Sequence, residues 1–154
     1  MKATTNRLAA AGIILPEVSP PIASYLPVMI NGSVAYVSGQ LPRCDGQIVM
    51  GVVGETIAVE EARAAARLCG VAILANLAHA LDGDLDRVER CTQLFGFVNA
   101  PSGFTDHPTV IDGASDLMIV VFGDAGRHAR AAVGCSSLPL GAAVEVAANF
   151  FIRA

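Results

Sequence analysis

The sequence predicts an α+β domain in which a mixed β-sheet carries two helices on one face. Three observations support this class: a long alanine-rich stretch with apolar residues at helical spacing, a second amphipathic stretch that ends at a glycine, and short β-prone runs around both. The order β-β-(β)-α-β-α-β-β is typical of helices layered on a sheet. A chain of 154 residues has the length of one domain.

Turn and cap residues place the elements along the chain. Asn31-Gly32 is a strong signal for a two-residue hairpin turn, and Gly123 ends the second amphipathic stretch. The predicted helices lie at residues 4–11, 58–81 and 108–122. The predicted strands lie at residues 26–30, 34–37, 48–50, 91–98, 130–136 and 143–152. A proline-rich connector at residues 13–21 joins the short first helix to the rest.

The composition is unusually apolar for a soluble monomer. Apolar residues make up 53% of the chain, charged residues 16%, and the mean hydropathy is +0.55. Membrane insertion and extensive subunit contact both explain such an excess. The longest weakly charged stretches contain Gly, Asn, Ser or Pro at strand-like spacing, and none resembles an apolar membrane span of about 18 residues. The sequence therefore favours an oligomer with large interfaces.

Charge and cysteine usage exclude several classes of function. The net charge is −4, Trp is absent, and no basic run occurs, so a dedicated nucleic-acid surface is not expected. Cys44, Cys69, Cys91 and Cys135 are scattered and form no Cys/His cluster, which predicts reduced, buried thiols and no metal site. The N-terminus lacks the apolar core of a signal peptide, so a cytoplasmic location is expected.

One arginine stands out in the C-terminal quarter. Between Ala129 and Phe151 the only charged residues are Arg130 and Glu145. A guanidinium keeps its charge and needs an anionic or accepting partner when it is desolvated. Two interpretations follow: a structural ion pair between Arg130 and Glu145, or a bidentate clamp for a substrate carboxylate with Glu145 as a proton-transfer group.

Five features in sequence order carry a family resemblance. They are Pro21-Ile22-Ala23-Ser24-Tyr25, Val37-Ser38-Gly39-Gln40-Leu41-Pro42, the alanine-rich helix, Phe97-Val98-Asn99, and the run from Ala129-Arg130 through Leu138-Pro139 to Val144-Glu145. Together they resemble the Rid/YjgF family of RidA-like reactive intermediate deaminases, in a longer subgroup called endoribonuclease-like or chorismate-mutase-like. The resemblance covers roughly residues 20–152. It divides the chain into an N-terminal extension with a short helix (1–20) and a YjgF/RidA-like domain (21–154).

The resemblance implies a chorismate-mutase-like fold assembled as a homotrimeric barrel, with ligand sites in clefts between subunits. Family deaminases hydrolyse enamines and imines such as 2-aminoacrylate to 2-oxo acids and ammonia, without a metal or organic cofactor. Arg130 matches the arginine that grips the substrate carboxylate, and Glu145 matches the acid that activates water. Tyr25 and Ser38 match pocket-lining hydroxyls.

Three positions depart from the pattern of the active relatives. Ser102 stands near the position of a family asparagine, Ala132 replaces a small thiol or hydroxyl, and Ala147 replaces a second acid. These changes indicate a different substrate or a loss of deaminase activity. Two alternatives therefore stay open: a non-catalytic trimer that senses small carboxylates, and the RNA cleavage attributed to some relatives. His128, two residues before Arg130, is a further candidate for the pocket rim.

Overall fold

The computed structural model describes residues 3–18 and 23–153. Within these residues the helices are α1 (Ala3–Ala10), α2 (Val59–Ala80) and α3 (His107–Phe122). The strands are β1 (Val28–Asn31), β2 (Val34–Gln40), β3 (Arg43–Cys44), β4 (Gln47–Ile48), β5 (Val88–Asn99), β6 (Ala129–Cys135) and β7 (Val144–Ile152). The connector predicted at 13–21 and the boundary predicted after residue 20 lie partly outside the described residues.

The main sheet has five strands in the order β1-β2-β7-β5-β6. β5 and β6 run parallel and are joined through α3, while the other neighbours are antiparallel. The predicted mixed sheet of an α+β fold is therefore confirmed. The strand predicted at 48–50 is wrong in position, because β4 ends at Ile48 and pairs only with β3, outside the main sheet.

One face of the sheet packs against the helices and forms the core. On β7 the side chains of Val146, Ala148 and Phe150 point to this face and are fully buried. α2 presents its alanine-rich stripe to the sheet, and the acidic pair Glu60 and Glu61 lies in its first turn, where the helix dipole favours negative charge. Burying an aromatic side chain such as Phe150 stabilises the fold by about 1.5–3 kcal/mol.

The opposite face of the sheet carries no helix among the described residues, and we call it the open face. Cross-strand register places Glu145, Phe97 and Val133 side by side there. Large apolar side chains on this face are 37–47% exposed: Met29, Tyr36, Phe97, Val133 and Phe151. Exposed apolar side chains that cluster on one face are typical of an interaction surface.

The short helix α1 docks against the main body. The Thr4 backbone N–H donates a 2.9 Å hydrogen bond to Asp86 Oδ1, and α1 contacts α3. Three helices, rather than the two predicted, therefore belong to the helical layer. No helix in residues 3–18 or 23–153 is long and apolar enough to cross a membrane.

The four cysteines are free, as expected, but they are not all buried. Cys69 and Cys91 lie in the core, where burial raises both thiol pKa values, that of Cys91 to about 12. Cys44 is exposed, so the prediction of a buried thiol is wrong for that residue. It belongs to the small hairpin that lies apart from the core.

Helices α2 and α3 approach each other through glycines. A Cβ on Gly113 of α3 would lie 2.0 Å from the Arg63 carbonyl oxygen of α2, and a Cβ on Gly70 of α2 would lie 2.8 Å from Leu117 Cδ2. Only glycine allows backbones to come this close. These two glycines therefore fix the position of α3 on the sheet, and with it the positions of the polar side chains of α3.

We expect Gly113→Ala to destabilise the protein, although alanine is the better helix former. The clash is with backbone that cannot rotate away, and overpacking of this kind costs about 1–3 kcal/mol. Gly103→Ala is the matched control, since a Cβ there meets nothing within 4 Å. Chemical denaturation of both variants measures the difference, and an unchanged midpoint for Gly113→Ala would contradict the close packing.

Candidate active site

Helix α3 lies close over the edge of the sheet because the sheet is built from small residues there. Gly96 of β5 pairs with Ala132 of β6, and a Cβ on Gly96 would lie 2.5 Å from Ile111 Cδ1 of α3. The next polar residues of α3, Asp112 and Ser115, are one turn apart and lie on the same side of the helix. They meet β6 at the position of Arg130.

The Arg130 guanidinium is anchored through one nitrogen. Its Nη1 donates a 2.7 Å hydrogen bond to Asp112 Oδ1 and a 3.1 Å hydrogen bond to Ser115 Oγ. These two bonds use both hydrogens of Nη1. Nε and Nη2 make no hydrogen bond to the described residues, so the edge that suits a bidentate carboxylate is left unpaired.

Arg130 borders a cleft of about 260 Å³. The cleft is lined by Asp112, Ser115, Asp116, Ile119, Arg127, His128 and Arg130. Two other charged residues that line the cleft form ion pairs of their own: Asp116 with Arg63 at 2.9 Å, and Arg127 with Asp124 at 3.6 Å. Arg130 is the less exposed of the two arginines in this cleft, with 23% of its side chain exposed against 68% for Arg127, and its Nε and Nη2 remain available to a ligand.

His128 lies where the sequence suggested, at the rim of this cleft. Its Nε2 is 2.9 Å from Ser115 Oγ, and its Nδ1 is 2.6 Å from the Gly126 carbonyl oxygen. The imidazole thus contacts Arg130's partner rather than Arg130 itself.

The ion pair considered between Arg130 and Glu145 does not form. Arg130 pairs with Leu94, which is buried under the helices, whereas Glu145 pairs with Phe97 on the open face. The two Cα atoms are separated by three residues along the strand direction and by two strand spacings across the sheet, which amounts to about 14 Å. The two charged residues of this segment therefore lie on opposite faces of one sheet.

Glu145 is half-buried on the open face beside β2. A Cβ on Gly39 would lie 2.1 Å from Glu145 Oε1, so glycine at this position makes room for the carboxylate. Burial raises the pKa of Glu145 above its ordinary value. Its side chain makes no hydrogen bond or ion pair within residues 3–18 and 23–153. Burial and, in second place, the negative charge of Glu145 raise the pKa of the nearby Cys135 thiol.

The raised pKa of Glu145 predicts a pH-dependent stability. Because the pKa of Glu145 is higher in the folded than in the unfolded chain, the folded state binds the proton more tightly. The resulting stability is fully present below the pKa of the unfolded chain, near 4.5, and is lost as the pH rises through the pKa of the folded chain. We therefore expect Glu145→Gln to raise the Tm at pH 7, with the gain vanishing below about pH 4. Calorimetry across this range, with the exposed Glu55→Gln as a control for charge removal, tests it. A lower Tm at pH 7 for Glu145→Gln would contradict the prediction.

The other predicted site residues are dispersed in a single chain. Ser38 Oγ donates a 2.7 Å hydrogen bond to the Leu26 carbonyl oxygen, and Tyr25 is 56% exposed just before β1, at the far edge of the sheet from β6. Ser102 is exposed in the loop after β5, and β5 ends about 16 Å along the strand from the position that pairs with Arg130. Ala132 is half-buried on the same face as Arg130.

Sequence reasoning missed Asp112 and Ser115 as partners of Arg130. A signal was present, because Asp112, Ser115 and Asp116 are polar residues at helical spacing in the middle of a largely apolar helix.

No group of three or more His, Cys, Asp and Glu within the described residues is arranged to hold a metal ion.

The fold defines a class of protein, the chorismate-mutase-like domains, and in this chain the cleft beside the edge strand β6 contains an arginine. The chain belongs to the family described as "YjgF/chorismate_mutase-like, putative endoribonuclease", whose model matches residues 5–150.

Known proteins resemble the chain over nearly its whole length. Protein TCP17 of Trypanosoma cruzi is 46% identical over 141 residues, covering 90% of this chain and 88% of that protein. The crystal structure of a "putative endoribonuclease" from Shewanella oneidensis is 36% identical, with a TM-score of 0.93 over 98% of this chain and 100% of that one. RidA from an Antarctic Psychrobacter is 21% identical with a TM-score of 0.59 over 88% of this chain and 94% of that one, which shows a shared fold.

Proposed function

We propose that the protein is a RidA-like enamine/imine deaminase, which hydrolyses reactive compounds derived from 2-amino acids to 2-oxo acids and ammonia. The observation that carries the proposal is the Arg130 guanidinium, which borders a cleft and is held through Nη1 alone. Its remaining edge, Nε and Nη2, matches the two oxygens of a carboxylate. A carboxylate is the group that these substrates share.

Each residue has a role suited to imine hydrolysis. Arg130 fixes the carboxylate and thereby the position of the electrophilic imine carbon. Glu145 takes a proton from the attacking water and passes it to the imine nitrogen as the C–O bond forms. It then moves the hydroxyl proton of the resulting carbinolamine to the same nitrogen, as the C–N bond breaks, the carbonyl forms and ammonia leaves. Tyr25 donates a hydrogen bond to the reacting group. Ser38, Ser102 and Ala132 line the substrate pocket, and no cofactor takes part in the proposed reaction.

The proposed site is completed by two chains. Arg130 and Glu145 lie on opposite faces of the sheet and about 14 Å apart within one chain, so one protomer cannot bring both to a small substrate. We place Arg130 from one subunit against Glu145, Ser38 and Tyr25 of a neighbouring copy. The apolar open face supports such an assembly, and a closed trimer repeats one heterologous contact three times.

We expect the protein to sediment with about three times its chain mass of 15.8 kDa. Val133→Asp, on the open face, should shift it towards the monomer because a charge would be buried in the interface. Val120→Asp is the matched control: Val120 is 44% exposed and Val133 47% exposed, but Val120 lies on α3, away from the open face. A wild-type monomer at micromolar concentration would contradict the trimer.

A non-catalytic trimer that senses small carboxylates is the second candidate. This sensor is favoured by Ala132 and Ala147, which replace polar residues of the active relatives. A sensor needs Arg130 to bind the carboxylate but does not need Glu145. RNA cleavage is less well supported, because the chain carries a net charge of −4 and few aromatic residues.

The free thiols suit a reducing compartment, and we expect the protein to be cytoplasmic.

Turnover tests the proposal. Purified protein is mixed with freshly generated 2-aminoacrylate, and then with bulkier imines, while release of the 2-oxo acid is followed against the uncatalysed rate. Acceleration that depends on Arg130 supports the deaminase. Binding of 2-oxo acids without acceleration of any imine would instead establish the sensor.

A further inference from the structure

The Gly126 carbonyl, His128, Ser115 and Arg130 form one chain of hydrogen bonds whose direction can be assigned. The Gly126 carbonyl oxygen only accepts, and it lies 2.6 Å from His128 Nδ1. Nδ1 therefore carries a hydrogen. In the neutral ring this leaves Nε2 as an acceptor, 2.9 Å from Ser115 Oγ.

The direction continues through Ser115 to Arg130. The Ser115 hydroxyl donates to His128 Nε2, so its lone pairs are free to accept from Arg130 Nη1 at 3.1 Å. A doubly protonated His128 would instead place two cations against the same oxygen and leave the Ser115 hydrogen without an acceptor among the described residues. The neutral ring with hydrogen on Nδ1 satisfies every group in the chain.

We propose that His128 is a positioning residue that holds the Arg130 guanidinium through Ser115. By fixing the Ser115 hydroxyl hydrogen, His128 keeps a lone pair aimed at Nη1, while Asp112 binds the other hydrogen of that nitrogen. The guanidinium is thereby held with its Nε–Nη2 edge presented to the cleft. The proposal rests on the proposed function, in that the ligand held at that edge is a carboxylate.

The first test is the tautomer of His128. Long-range ¹H–¹⁵N NMR on the intact protein distinguishes the two ring nitrogens, with His128→Gln used to assign the signal. The expected result is a neutral ring with hydrogen on Nδ1 and a bare Nε2. Hydrogen on Nε2, in the other tautomer or in the imidazolium, would overturn the assignment. This test needs no ligand.

The second test is a double-mutant cycle on binding of 2-oxobutyrate, a small monocarboxylate, by calorimetry. Ser115→Ala and His128→Leu should each weaken binding by about three- to ten-fold, the equivalent of one hydrogen bond. Because both act through one chain, the double variant should bind no worse than either single variant. Additive losses would overturn the proposal, since they are the result of two independent structural defects.

Two controls sharpen the cycle. His128→Gln keeps an acceptor for Ser115 and should recover most of the affinity, whereas a merely space-filling His128 would not be rescued this way. Thr109→Ala removes another hydroxyl of α3, one that donates to Asp106 and not to the cleft, and should leave binding unchanged. If the wild type binds no 2-oxobutyrate, the proposed function fails, and the His128 tautomer alone then supports or overturns the hydrogen-bond assignment.

Discussion

Arg130→Ala is expected to abolish binding of small carboxylates while the fold survives. The variant loses the two donors of the Nε–Nη2 edge that would grip both oxygens of the ligand. The stability cost should be small, about 1 kcal/mol, because the partner left behind, Asp112, is partly exposed and remains hydrated. Calorimetric titration with 2-oxobutyrate and denaturation of the same samples separate the two effects.

Lysine is a stringent control at this position. Arg130→Lys keeps the charge but has no planar fork, so it should restore binding poorly. Asp116→Asn is the matched control for the cleft, since Asp116 lines it but pairs with Arg63. Wild-type affinity in Arg130→Ala, or a bound carboxylate located away from Arg130 in a crystal structure, would reject the clamp.

Glu145→Gln is expected to keep carboxylate binding and lose turnover by about 10²–10⁴-fold. Glutamine preserves the shape of the side chain but cannot take a proton from water. The wild-type pH–rate profile should have an acidic limb that reports ionisation of Glu145, and burial places that limb above the ordinary range of a glutamate. Stopped-flow assays on 2-aminoacrylate across the pH range measure both features.

This variant also separates the two candidate functions. A carboxylate sensor would show unchanged binding in Glu145→Gln and would have no turnover to lose. A variant that hydrolyses imines at the wild-type rate would remove Glu145 from the mechanism and leave Arg130 and bound water as its elements.

The architecture was predictable because local signals agreed with one another. The alanine stripe of α2, the Asn31-Gly32 turn and the glycine after α3 each indicated an element that the structure contains. The small β3–β4 hairpin was misplaced, since two-residue strands outside the main sheet carry too little periodicity to be recognised. Part of the apolar excess of the composition lies on the open face, whose large side chains the proposed trimer would bury.

The partner of Arg130 was not predictable in the same way. Counting charges along the C-terminal segment singled out Glu145, but Arg130 and Glu145 belong to different strands. The face that each occupies depends on the strand register, and a shift by one residue reverses it. Asp112, 18 residues earlier on a helix, reaches Arg130 because Gly96 and Ala132 let α3 lie close to the sheet.

The central claim is that Arg130 and Glu145 act in one site although they come from different subunits. Subunit mixing tests it directly: Arg130→Ala and Glu145→Gln chains, each inactive alone, are co-refolded in equal amounts and assayed on 2-aminoacrylate. In random trimers about a quarter of the interfaces pair an intact Arg130 with an intact Glu145, so about a quarter of the wild-type activity should return. Activity no higher than that of the parent variants, in mixed trimers verified by two affinity tags, would contradict the shared site.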